Sequence, residues 1–314
     1  MVETIRGTVV DRSPLSFSKK RIRLRQVWEG FVKTGLFLAA FSSVLVTVGI
    51  VGVLVYESLQ FFKEVRIVDF LTDTQWTPLF SDAHYGILPL ICGTMVTTFV
   101  AVLVAVPVGT VTAIYLSEYA PHRLREFVKP VLELLSAVPT VVYGYFALLF
   151  VTPLLQKVLP ELPGFNMLSA GLVMGVMIIP YVSSLSEDAM RAVPMHIREG
   201  SYAMGATRLQ TALRVVMPSA FSGMSAAYVL AFSRAIGETM VVAIAAGMQP
   251  NFTLNPMEPA STITAYIVQV SLGDLPHGSV GYQTIFAAGL TLLIITLAFN
   301  ILGHFLRKRF REVY

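Results

Sequence analysis

The chain has 314 residues, of which 55% are hydrophobic and only 13% charged, with a formal net charge of +4 at pH 7. Soluble domains carry about a quarter charged residues, so this balance excludes an ordinary soluble domain and identifies a membrane protein. A positive charge that would suggest nucleic acid in a soluble chain lies here beside apolar runs, where topology and anionic lipid account for it; membrane lipid is an expected partner and nucleic acid is not.

About thirty polar and basic residues precede the first apolar run, so the start of the chain is not a cleavable signal peptide. A bilayer core of ~30 Å needs about 20 apolar residues at 1.5 Å rise each. Six stretches qualify, at roughly 31–56, 86–116, 128–155, 167–187, 219–247 and 281–306. Backbone polar groups must be satisfied inside lipid, so these are helices and the predicted fold is an all-α integral membrane protein with six transmembrane helices. The second stretch exceeds a perpendicular crossing, and tilting or a kink at Pro107 would absorb the excess. The predicted organisation is a basic tail at 1–30, a first transmembrane helix with an external loop at 31–85, and a membrane core at 86–314 that carries a polar loop at 188–218.

Charge sets the direction of the spans. The tail holds Arg6, Arg12, Lys19, Lys20, Arg21, Arg23 and Arg25, the second connection Arg123 and Arg125 with Lys129 beyond, and the fourth Arg191, Arg198, Arg208 and Arg214. The C-terminus adds Arg307, Lys308, Arg309 and Arg311, whereas the alternate connections hold only Lys63, Arg66 and Lys157. Both termini are therefore cytoplasmic. The external loops at about 57–85 and 248–280 are too polar to span. They read as solvated connections in preference to docking surfaces for an external partner.

Chemistry-bearing motifs are sparse. No G-x-x-x-x-G-K-[ST] sequence is present, so this chain cradles no nucleotide phosphates in a Walker-type loop. H-E-x-x-H is absent too, and Cys92 has neither a second cysteine nor a histidine cluster beside it, so no metal or cofactor is expected. The five histidines lie at loops or span ends, where interfacial solvation accounts for them. Nothing points to an enzyme acting alone.

The polar loop at 188–218 has a helix-turn-helix pattern. Pro194 can open a helix on which Arg198, Glu199 and Tyr202 recur at helical spacings; Gly205 permits a sharp reversal because glycine tolerates positive φ. Thr207 can cap the next helical run, and Pro218 can start the fifth span. Such a projection suits docking to a soluble motor, and spacing alone equally allows an amphipathic connector lying on the bilayer.

Glu199, Gly205 six residues later and the Met217-Pro218 pair are similar to the E-A-A loop of ABC-importer permeases, which runs from E-A-A through a glycine to L-P. Gly200-Ser201 stands where Ala-Ala is usual and Met217 where Leu is usual. The segments Glu133–Gly144 and Ser233–Met240 further resemble phosphate permeases of the PstC type, over residues from about 86 to the C-terminus. The resemblance implies a type I ABC importer permease (MetI-like) fold and a subunit forming half of a translocation pathway for phosphate. It implies that Glu199, Tyr202, Ala203, Gly205 and Pro218 serve coupling to an ATPase. The implied partners are a second, PstA-like permease, two PstB-like ATPase subunits and an external PstS-like phosphate-binding protein. A permease for sulfate or molybdate, and a secondary transporter or channel, remain as alternatives.

Two intramembrane charges stand out. Arg234 is the only basic residue well inside a predicted span, and Glu238 follows four residues later. A charge at a helix centre costs roughly 2.5–3.5 kcal/mol on insertion scales, so both are candidates for the substrate pathway. A guanidinium can offer parallel donors to a tetrahedral oxyanion, with Glu238 offsetting its attraction. The pair fits equally an ion pair on one helix face that locks the span to a neighbour, although base before acid is the less favourable order on a helix. Lys129 and Glu133 are expected to pair one turn apart, and Ser136, Thr140 and Tyr143 beside Pro139 to line a polar path or bond between helices.

Overall fold

The computed structural model describes residues 19–78, 80, 82–273, 275, 276 and 278–309. Arg6, Arg12, His277 and Arg311 lie outside the described residues, as does most of the expected tail. The chain divides into two compact units, residues 1–53 and 54–314. Helix α1 (Lys19–Glu64) begins in the first, where its apolar run opens with Trp28 stacked on Phe31 and continues through Phe37 stacked on Phe41.

The other elements follow in chain order: α2 (Ile67–Thr72), α3 (Leu88–Ile114) with a π-helical turn at Tyr115–Tyr119, α4 (His122–Ser136) and α5 (Thr140–Phe146). After a second π turn at Ala147–Val151 come α6 (Thr152–Gln156), α7 (Met167–Arg191), α8 (Met195–Ala203) and α9 (Arg208–Thr211). A third π turn at Ala212–Val216 leads to α10 (Met217–Ser219), α11 (Phe221–Ile236), α12 (Met240–Ala245), α13 (Ile263–Ser271) and α14 (Val280–Arg309).

Among the described residues, four helical stretches are long and apolar enough to cross a membrane: Trp28–Glu64, Leu88–Tyr119, Met167–Arg191 and Val280–Phe305. Two bent pairs bring the number to six. The third span is not the single rod expected at 128–155, because α4 meets Thr140–Gln156 at 85°. Pro139 disfavours helical backbone at the residue before it, and α4 stops at Ser136. The Tyr143 hydroxyl of α5 donates to Leu135 O of α4 across the bend (2.7 Å), the expected bond between helices, whereas Ser136 Oγ donates to Glu133 O within α4 (2.7 Å). The fifth span is broken twice. Arg208–Ser219 meets α11 at 74°, and α11 ends at Ile236, before Gly237–Thr239 interrupts the helix. Pro107, by contrast, is accommodated inside continuous α3.

The main packing is between α3 and α7, and it depends on glycine. Gly171 and Gly175 lie one turn apart on α7; a Cβ on Gly171 would sit 2.7 Å from Val100 Cβ, and one on Gly175 2.8 Å from Ala101 O. Apolar burial drives little association within lipid, so helices gain from backbone proximity, which small residues allow. Behind this seam Met174, Met177, Ile178 and Val182 of α7 pack with alanines of α3, α11 and α12.

The external connections are largely exposed or half-buried, as their composition suggests, but parts of each are buried. Phe61, Phe70, Trp76 and Tyr266 form an aromatic cluster, with ring centroids 5.7 Å (Phe61–Phe70), 6.2 Å (Phe70–Trp76) and 5.0 Å (Trp76–Tyr266) apart. In the second connection Ala260–Tyr266 is buried, because α13 packs between α3 and α14. Thr262 caps α13 by accepting from Ala265 N, and Thr94 of α3 accepts from Ile263 N, satisfying backbone donors that the burial would strand. Polar composition concealed this because the threonines spend their hydroxyls on buried backbone.

The turn joining α2 to α3 carries an isolated bridge between Trp76 and Tyr85 and a His84 Nδ1–Asp73 Oδ2 contact of 2.9 Å. The hydrogen bond to Asp73 raises the His84 pKa, against partial burial. Burial alone would raise Asp73, but its bonds from His84 and the Gln75 backbone outweigh that and hold it below the usual carboxylate value.

Two predictions follow from this packing. Gly175→Leu should destabilise the α3–α7 seam by about 1–3 kcal/mol or more, seen as a lower thermal midpoint of the purified protein, whereas Gly200→Ala, with nothing within 4 Å of its added methyl, should not. A raised histidine pKa contributes stability that is complete below its unfolded value of 6.5 and fades as pH rises through the raised value. Hydrogen-exchange protection at Thr77 and Gly86 should therefore fall as pH rises from 6 to 8 after correction for intrinsic rates (~two units bracketing that value), and His84→Asn should abolish the dependence.

Candidate functional site

The polar loop begins later than expected, since α7 runs on to Arg191. Pro194, with φ −59° and ψ 144°, then opens α8, and Gly205 reverses the chain at φ +82°. Thr207 and Gln210 form a reciprocal capping box at the start of α9. Ser201 and Thr211 share a hydroxyl hydrogen bond of 2.9 Å, which holds α8 against α9. Glu199, Tyr202 and Ala203 are all exposed on α8, beside Met204 at 88% exposure. Gly205 follows directly, so four of the five expected coupling residues cluster. Pro218 is exposed on α10, a different element, and precedes the 74° bend instead of opening the long part of the fifth span.

One residue carries more structure than its sequence context shows. Arg198 is buried: its Nη1 donates to Val193 O (2.7 Å) and its Nη2 to Met190 O (2.7 Å). These carbonyls lie at and just beyond the C-terminal end of α7, where acceptors lack helical partners and a cation meets the negative end of the helix dipole. Nη2 also reaches Glu118 Oε1 at 3.3 Å; the Glu118 side chain is 4% exposed and accepts from Ser117 Oγ as well. A single side chain thus fastens α8 to the ends of both α3 and α7. Counting charges for topology treats Arg198 as one loop cation among several. The legible signal was Glu118, a lone acid at the inner end of the second span. A cleft of about 790 Å³ opens beside this joint, lined by Glu118, Arg125, Arg191, Arg198, Tyr202 and Arg208.

Lys129 does not pair with Glu133. Its ammonium contacts Glu187 (2.9 Å) and Asp188 (2.5 Å) of α7, leaving Glu133 exposed. The 85° bend brings α4 alongside α7, where a buried carboxylate offers a stronger partner than a solvated one a turn away.

Arg234 and Glu238 are likewise not joined. The break at Gly237 places Arg234 in the last turn of α11 and Glu238 two residues before α12, so they share no helix face. Among the described residues no ion pair links them. The Arg234 guanidinium carbon lies 4.4 Å from the centroid of the Tyr181 ring. Glu238 is 7% exposed; its carboxylate faces Val241 N at 3.5 Å, and its backbone carbonyl accepts from Thr264 Oγ1 at 2.6 Å. Each charge therefore sits at the helix end whose dipole favours it, and the unfavourable base-before-acid order does not arise.

Removing Arg198 would leave the buried Glu118 carboxylate with Ser117 Oγ but without its cation, and would take the guanidinium donor from Val193 O. Arg198→Met should cost about 3–5 kcal/mol, and the double variant Arg198→Met/Glu118→Gln should recover part of it, measured as a double-mutant cycle in thermal or denaturant unfolding.

Residues 105–312 match the family described as binding-protein-dependent transport system inner membrane components. The probable ABC transporter permease protein YqgH of Bacillus subtilis is 34% identical over 304 residues, covering 95% of this chain and 98% of that protein. The phosphate transport system permease protein PstC of Xylella fastidiosa is 31% identical, covering 78% of this chain and 80% of its own length. The probable PstC of Methanocaldococcus jannaschii is 30% identical, covering 87% and 92%. Among solved structures, a chain of a bacterial alginate ABC transporter superposes with a TM-score of 0.63 at 16% identity, over 92% of this chain and 99% of that one. A chain of the inward-facing MetNI methionine ABC transporter gives 0.53 at 18% identity, over 72% and 95%. At these identities the structures establish the shared fold alone, which is the type I importer permease fold implied by the cytoplasmic loop. The chain is a multi-pass protein of a prokaryotic plasma membrane, and it belongs to the binding-protein-dependent transport system inner membrane components, among the PstC-type permeases.

Proposed function

We propose that the chain is a transmembrane permease subunit of an ATP-driven phosphate importer. The observation that carries the reading is the 30–31% identity to phosphate permeases over more than three-quarters of the chain. The chain forms half of the pathway and works with ATPase subunits inside and a binding protein outside. In finer detail, a PstA-like permease completes the pathway, two PstB-like subunits hydrolyse ATP, and a PstS-like protein delivers phosphate. ATP is not hydrolysed by this chain.

Glu199, Tyr202, Ala203 and Gly205, with Pro218 beyond α9, form the contact to one ATPase. Their exposure on a short helix that ends in a glycine turn supports this assignment. Motion of α8 passes through Arg198 to α7 and α3, a route supported by its three hydrogen bonds. Arg234 and Glu238 act in the substrate pathway. The guanidinium, free of any carboxylate among the described residues, contacts the anion in transit, and the separated Glu238 limits how long it stays.

The test uses the assembled transporter in proteoliposomes. Arg234→Gln and Glu238→Gln should each lower phosphate uptake at least about tenfold with normal assembly, the scale of a lost charge-assisted hydrogen bond. Substitution of Glu199 or Gly205 should release the ATPase on co-purification. Normal uptake in both pathway variants would remove these residues from the pathway. Phosphate flux by the isolated chain, or transport of sulfate or molybdate in preference to phosphate, would overturn the function itself.

A further inference from the structure

The surroundings of Arg234 differ from those of a charge held by an ion pair. Its guanidinium lies over the ring of Tyr181, 4.4 Å from the centroid to Cζ, with α7 supplying the ring and α11 the cation. Its Nε is buried and has no hydrogen-bond partner among the described residues. The nearest acid in sequence, Glu238, is turned toward the start of α12, with Oε1 3.5 Å from Val241 N. An aromatic face attracts a cation through its quadrupole without offering its N–H donors the lone-pair acceptor that a carboxylate would. A carboxylate in the same place would take two donors and neutralise the charge.

We propose that Tyr181 is the positioning residue for Arg234, holding the cation by its ring face so that the in-plane donors stay available to a tetrahedral oxyanion. The inference rests on the assignment of Arg234 to the substrate pathway. In the empty state the ring keeps the guanidinium from collapsing onto Glu238 and from standing unscreened in a medium of low dielectric. When the anion arrives, its oxygens meet donors that no protein acceptor has to surrender. The ring attraction is modest, so the cation can follow the anion as α11 moves against α7, and it returns to the ring on release.

The experiment is run on the complete transporter in proteoliposomes with saturating phosphate-loaded binding protein, measuring phosphate moved per ATP hydrolysed. Tyr181→Phe, which keeps the face, should retain the wild-type ratio within about twofold. Tyr181→Leu should lower it roughly three- to thirtyfold while binding-protein-stimulated ATP hydrolysis persists, the range expected for losing a desolvated cation–π contact. If the leucine chain fails to assemble, Tyr181→Met fills a comparable volume without a π face and carries the same expectation. Equal damage from Phe and Leu would assign the effect to the hydroxyl and overturn the proposal. So would a fall in assembled yield and ATP hydrolysis with an unchanged ratio, which a purely structural contact would produce. Arg234→Gln separates the two levels. If it abolishes uptake while Tyr181→Leu behaves as wild type, the positioning role alone fails; if it transports normally, the pathway assignment fails and this proposal with it.

Discussion

The close approach of α3 and α7 is the constraint on which the other contacts are built. Within a bilayer, apolar side chains gain nothing by leaving lipid for protein, so association depends on how near two backbones can come. Gly171 and Gly175 remove the side chains that would separate the helices. Once that seam is made, the inner end of α7 and the π turn after α3 lie close enough for one arginine to bond to both. The same α7 presents Glu187 and Asp188 to Lys129 of the bent third span, and Tyr181 to Arg234 of the fifth.

Three of the buried or intramembrane charges sit at helix ends of the matching sign. Arg198 meets the carbonyls at the end of α7, Arg234 occupies the last turn of α11, and Glu238 precedes α12. Each break in a helix exposes a few backbone groups and a dipole terminus, and a charge of the right sign offsets both. Breaking the spans therefore solves two problems at once. It admits ionisable residues at membrane depth, and it leaves joints where helices can change their angle.

Much of the architecture was legible along the chain. Length, apolar runs and the distribution of lysine and arginine are local quantities, and they carried the helical membrane class and the positions of the spans, whereas the family came from the resemblance of the 188–218 loop and two short segments. Pro194, Gly205 and Thr207 announced the turns they make because cap and turn chemistry depends on a few adjacent residues. The buried part of the second outer connection was hidden for the opposite reason. Threonine scores as polar, yet Thr262 there and Thr94 of α3 are buried because each hydroxyl meets a backbone N–H that pattern reading cannot see.

By itself, the sequence determined that this is a multi-pass helical permease with a polar loop between its fourth and fifth spans, because hydrophobic length, charge bias and short motifs are written in neighbouring residues. Only the tertiary structure decided who meets whom. Helical spacing joined Arg234 to Glu238 and Lys129 to Glu133, whereas the bend at Pro139 and the break at Gly237 gave Lys129, Arg234 and Glu238 other partners and left Glu133 exposed. Spacing along a helix predicts a contact only while the helix continues. Where it breaks, a partner on another helix, such as Tyr181, Glu187 or the carbonyls that Arg198 holds, replaces the residue one turn away.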